Sequence, residues 1–227
     1  MSVEQEKTTN KDILYSLAKG GVGSIPIIGA LATEIFSLVV TPPMEKRRAE
    51  WMNDIAERLK ALEDAGAIDL NELTNSDQFI DVVLQATTYA LKTSEEEKIR
   101  AFRNGLLNTA LGDGPSKVKS HIFLTQLDKF TSWHIKLLGF IDDPREWLQN
   151  AGITIPNYMG TSIFTIICHA FPELKEHSEL VDVIWDDLKV AGFHNTTGIR
   201  TTMTGEGALA PRTTPLGQEF LRFISGE

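Results

Sequence analysis

IRTTMTGEGALAPRTTPLGQEFL, residues 199–221, is the stretch on which the reading of the fold turns. Ile199 to Thr204 is rich in threonine, Gly205-Glu206-Gly207 is turn material, and Ala208 to Thr213 can return as a second strand, so the pattern predicts a β-hairpin. Thr214 then stands where an N-cap belongs, with Pro215 at the first helical position and Leu216, Phe220, Leu221 and Phe223 as the apolar set of a closing helix. Working backwards, Ser178 to Val190 carries Leu180, Val181, Ile184, Trp185 and Leu188 at helical spacing and ends at Gly192, a C-cap residue. Further helices are expected at Lys117 to Phe130, Trp133 to Ile141 and Ser162 to Ala170, with Asp142-Asp143-Pro144 and Pro172 as stops. Helices, hairpin and final helix in that order predict a winged-helix-like domain over 116–227, with a β-hairpin wing.

The other half reads as a helical bundle over 13–115, after a polar stretch, 1–12, expected to be flexible. Met44 to Asp64 places Met52, Ile55, Leu59 and Leu62 on one side of a charged helix. Ser76 is positioned to cap a helix through Phe79, Ile80, Val83 and Ala86. Ser94-Glu95-Glu96-Glu97 has capping-box spacing ahead of Ile99, Phe102, Leu106 and Leu107. Gly112-Asp113-Gly114-Pro115 is the clearest breaker, and the domain boundary is expected there. The chain is therefore predicted to be mainly α.

Residues 20–40 are the anomaly, because Glu34 is their only charged side chain. Ile28, Leu31, Ile35 and Leu38 make a bulky stripe, and Gly21 and Gly29 are small enough to let helices approach closely. The stretch has the length to span a bilayer. However, Pro26 interrupts it and Glu34 would cost about 2.5–3.5 kcal/mol at a helix centre, so a constitutive transmembrane helix is not expected. A buried bundle helix, a self-associating surface and a conditional membrane contact remain as readings of these seven residues.

With 31 Asp and Glu against 22 Lys and Arg, the chain carries a net charge of -9, which disfavours holding nucleic acid phosphates. The candidate recognition helix sharpens the point, since Glu179, Asp182, Asp186 and Asp187 face only Lys189 there. Arg200 and Arg212 are the residues on which an alternative reading, a winged-helix transcriptional regulator touching DNA, would rest. Lys19-Gly20-Gly21-Val22-Gly23-Ser24 resembles a phosphate loop but lacks the second lysine and the preceding strand, so no nucleotide cofactor is expected. Cys168 cannot make an intramolecular disulfide and points to a reducing cytoplasm. Cys168 and His169 diverge by about 100° on a helix. His121, His134, His177 and His194 have no metal-ligand spacing, so neither a metal nor a catalytic residue is assigned. An enzyme reading would need Asp142, His134 or Asp186 to converge in three dimensions, and no small-molecule substrate is evident.

The apolar glycine-containing segment, the Pro-Pro-Met-Glu-Lys-Arg-Arg junction at Pro42 to Arg48, the helical middle and the terminal Thr214-Pro215-Leu216-Gly217 to Phe220-Leu221 resemble uncharacterised bacterial proteins near the abortive-infection alpha family. That resemblance implies a cytoplasmic bacterial protein in antiphage defence or stress response and transfers no catalytic residue. The expectation is a non-enzymatic interaction protein with a protein partner or itself, working through oligomerisation or conditional contact of 20–40 with the inner membrane.

Overall fold

The chain is mainly α-helical in its computed structural model, which describes residues 42–155 and 157–226. They fall into two compact units, one reaching Leu124 and taking in Gly226, the other running from Thr125 to Ser225. Residues 20–40, with Gly21, Ile28, Gly29, Leu31, Glu34, Ile35 and Leu38, lie outside the described residues.

In the first unit, helix α1 (Pro42–Asp64) buries Trp51, Ile55 and Leu59 at i, i+4 and i+8. The ridge is set by the bulkiest side chain, so Trp51 takes the core position and Met52 is left half-buried. The Trp51 indole N–H donates to Thr87 Oγ1 at 3.0 Å, which satisfies both buried polar groups. After the one-turn α2 (Leu70–Leu73), α3 (Asp77–Ala90) begins at Ser76, whose hydroxyl accepts from the Phe79 amide at 3.2 Å. It packs on α4 (Glu96–Ala110) through Phe79, Val82 and Ala86 against Phe102 and Leu106, all buried. Each such Phe or Leu contributes about 1.5–3 kcal/mol of burial. The capping box expected from Ser94 does not form. Thr93 Oγ1 accepts from the Glu95 amide at 3.1 Å, and Glu95 becomes the N-cap without a side-chain bond. The Gly112 breaker holds: its φ of 84° lets the Asp113 amide reach Asn108 O and its own amide Thr109 O, which closes α4 before α5 (Lys117–Lys129).

In the second unit, α6 (Ser132–Asp142) is the hub. Asp143 follows it and accepts from the amides of Arg145 and Glu146 at 3.0 and 2.9 Å, so the expected stop also opens a helix, α7 (Pro144–Asn150). Then come α8 (Ile163–Ala170), a 3-10 turn (Pro172–Glu176), α9 (Ser178–Val190), α10 (Gly205–Ala208) and α11 (Pro215–Ile224). Helices α9 and α11 both pack on α6, and Phe130, Phe193 and Phe220 meet between them, with Phe193 stacked on Phe220 at 4.5 Å.

The β-hairpin wing is not there, and the winged-helix description of 116–227 is corrected accordingly. Among the described residues the only β pairing is two isolated bridges, Thr161 with Met203 and His194 with Thr213. Each half of the expected hairpin thus pairs with a partner distant in sequence. The intended turn becomes α10, because Thr204 caps it by accepting from the Gly207 amide at 3.1 Å, a use of threonine that competes with strand formation.

The terminal helix behaves as its sequence predicts. Thr214 Oγ1 accepts from the Gly217 amide at 3.1 Å and donates to Gly192 O at 2.7 Å. At Gly217 an added Cβ would stand 2.5 Å from Phe193 O and 2.6 Å from Thr213 Cγ2, so backbone meets backbone there and only glycine fits. Gly217→Ala should therefore lower the urea unfolding midpoint by the equivalent of about 1–3 kcal/mol, the usual penalty for overpacking, with the denaturant slope unchanged.

Candidate interaction groove

Two of the histidines that a chemical reading would use, His134 and His169, are committed to internal contacts. His134 N3-caps α6: its Nδ1 accepts from the Thr131 amide at 3.1 Å, while Nε2 meets Asp187 Oδ2 at 3.2 Å and the ring stacks on Phe130 at 4.7 Å. Its carboxylate partner is Asp187 and not Asp186. Thr131 Oγ1 also lies 3.0 Å from Nδ1, but a hydroxyl, an imidazole and a carboxylate in line here tie α9 to the start of α6. Asp142 joins neither, and its Oδ1 is buried without a hydrogen-bond partner. His169 Nε2 bonds to Thr154 O at 2.9 Å, apart from Cys168, whose thiol is pushed up by burial and so is not activated. Among the described residues no group of three or more His, Cys, Asp or Glu is arranged to hold a metal.

Arg200 and Arg212 are similarly engaged. Arg200 Nη2 lies 2.9 Å from both carboxylate oxygens of Asp182, donates to Ser178 O, and has its guanidinium 3.8 Å over the Phe164 ring. Arg212 is half-buried; its Nη2 donates to Gly207 O and lies 3.3 Å from Met203 Sδ, and burial lowers its pKa. These two cations brace the 199–213 segment through internal contacts.

The first unit exposes a small apolar strip. A groove of about 680 Å³ runs between α3 and the start of α5. Leu84, Val118 and Ile122 line it with 49%, 70% and 42% of their surface open. At 100° per residue, Val118 and Ile122 lie roughly opposite the buried Phe123, Leu124 and Leu127 stripe of the same helix. That second apolar face is legible in the sequence, although periodicity alone does not single it out. Polar contacts brace the rim. Asp81 Oδ2 meets Lys117 Nζ at 2.7 Å and lifts the lysine's pKa, and Gln85 Oε1 lies 3.1 Å from His121 Nδ1. No helix among the described residues is long and apolar enough to cross a membrane.

One buried histidine gives the second unit a pH dependence. His194 Nε2 donates to Trp185 O at 2.8 Å and its Nδ1 accepts from the Thr196 amide at 3.2 Å, so the fold uses the neutral ring. Burial lowers its pKa, with the Trp185 carbonyl opposing. The unfolded chain thus binds the proton more readily, and this stability, complete above the ordinary value of about 6.5, is lost as pH falls from there towards the folded value. Urea midpoints measured from pH 7 to pH 5 should fall, and His194→Gln, which keeps the donor to Trp185 but cannot titrate, should flatten that slope. No family model matches the chain, and neither a curated protein nor a solved structure matches it.

Proposed function

We propose that the chain is a non-enzymatic interaction protein whose working element is the apolar segment 20–40, held in the α3–α5 groove at rest and engaging a membrane when released. The observation that carries this reading is the exposed aliphatic strip of Leu84, Val118 and Ile122. Arg47, Glu50 and Trp51 of α1 border one cavity with Ala90, Leu91 and Thr93 at the end of α3. Arg47, in the first turns of α1, therefore lies close to the Tyr89 end of the groove. A helix of twenty-one residues would extend about 31 Å, against about 21 Å for the 14 residues of α3, so a segment of that length is long enough to cover the groove.

The stripe Ile28, Leu31, Ile35 and Leu38 supplies the anchors that a helix-in-groove contact uses. Glu34 opposes bilayer insertion while charged and so favours the held state. A latch of this kind suits the antiphage or stress role that the family resemblance implies.

Flotation of the full chain with anionic vesicles tests the reading. Val118→Glu with Ile122→Glu should raise the floated fraction several-fold by evicting the segment, and adding Leu31→Lys with Ile35→Lys should abolish the gain. Equal flotation of all three chains would refute it.

A further inference from the structure

We infer that a second cleft in the first unit, between α1 and α4 and bordered by arginines, is a binding site for a phosphate group carried by a small molecule. It has a volume of about 480 Å³, within the range of small-ligand pockets, and three arginines line it: Arg58, Arg100 and Arg103. Their presence together is not a reflection of composition, because the chain as a whole is acidic.

One carboxylate serves this group. Asp54 accepts from Arg58 Nε through Oδ1 at 2.8 Å and from Arg103 Nη1 through Oδ2 at 2.9 Å. Burial pushes its carboxyl up, but the hydrogen bonds and charges of Arg103 and Arg58 outweigh that and hold it below the usual carboxylate range, so the bridge stays ionised. Two guanidiniums are thereby fixed before any ligand arrives, which reduces the ordering cost of binding. The bridge leaves donors unspent: both Nη of Arg58, Nη2 of Arg103 and the whole guanidinium of Arg100, whose side chain has no ion pair or hydrogen bond among the described residues.

Among the described residues, the three arginines of the lining share one carboxylate, Asp54, which leaves positive charge in excess there. A planar carboxylate is satisfied by a single arginine fork, whereas a tetrahedral phosphate dianion can accept from several donors arriving in different directions. Leu62, Leu107 and Leu111 form an apolar wall beside the arginines, and this accommodates the organic part of the ligand. The site is independent of the groove between α3 and α5 and of the latch proposed for it.

Calorimetric titration of the full chain at constant ionic strength, with inorganic phosphate, a nucleoside 5′-monophosphate and acetate, tests the inference. Saturable phosphate binding that acetate does not match is expected, weakened about tenfold or more by Arg100→Gln, the loss of charge-assisted hydrogen bonds. Arg100 has no hydrogen bond or ion pair to lose among the described residues, so this variant should keep the wild-type melting temperature. Lys175→Gln, an exposed change in the other unit, should bind as the wild type does. Tighter binding of the nucleotide than of inorganic phosphate supports an organic phosphate as the ligand. Absence of saturable phosphate binding, equal binding by Arg100→Gln, an equal response to acetate, or a free ion bound as tightly as the nucleotide would each overturn the inference as stated.

Discussion

Where Gly217 lies against the backbone of Phe193, the absence of a side chain lets α11 seat directly on the segment that follows α9. The Thr214 amide donates to Phe193 O, its hydroxyl to Gly192 O, and Thr213 pairs with His194, so three consecutive residues, Gly192, Phe193 and His194, are tied across this single approach. Phe193 and Phe220 can then stack, and Phe130 closes the cluster against α6. The C-terminal unit is organised around this contact: bulk at position 217 would part the two aromatic rings and unseat the polar ties together. The Leu216-Gly217 pair is thus a packing device.

The helices were legible because their signals are local. Ser76, Ser162 and Thr214 each cap a helix with the side chain that marks it in the sequence, and Gly112 and Gly192 end theirs with positive φ, whereas Asp143, read as a stop, also opens a helix. The hairpin failed for the complementary reason. Strand pairing is decided by which distant segment offers backbone groups, and here Thr161 and His194 outcompete the near partner while Thr204 turns the threonine-rich run into a cap. The groove was missed differently, since Val118 and Ile122 look like ordinary helix content until the buried face is known to lie on the other side.

Charge also acquires a different meaning in three dimensions. The acids of α9 read in sequence as a solvated face that would repel a nucleic acid. Two of the four have specific structural partners: Asp182 grips Arg200 and Asp187 faces His134. Asp186 and Glu179 remain on the exposed side. In the first unit Asp54 likewise draws Arg58 and Arg103 together. Net charge described a general tendency, and individual carboxylates decide where cations are gathered.

Trp51 is the sole tryptophan of the N-terminal unit, the other three standing at 133, 147 and 185. Its indole is enclosed and held by Thr87, a setting in which fluorescence emission shifts to the blue relative to water. Because it sits on α1, eleven residues after Val40, the chain carries an unlabelled optical gauge of how that helix is seated. With the three distal tryptophans replaced by phenylalanine, the colour of one residue's emission would report whether α1 remains seated on α3.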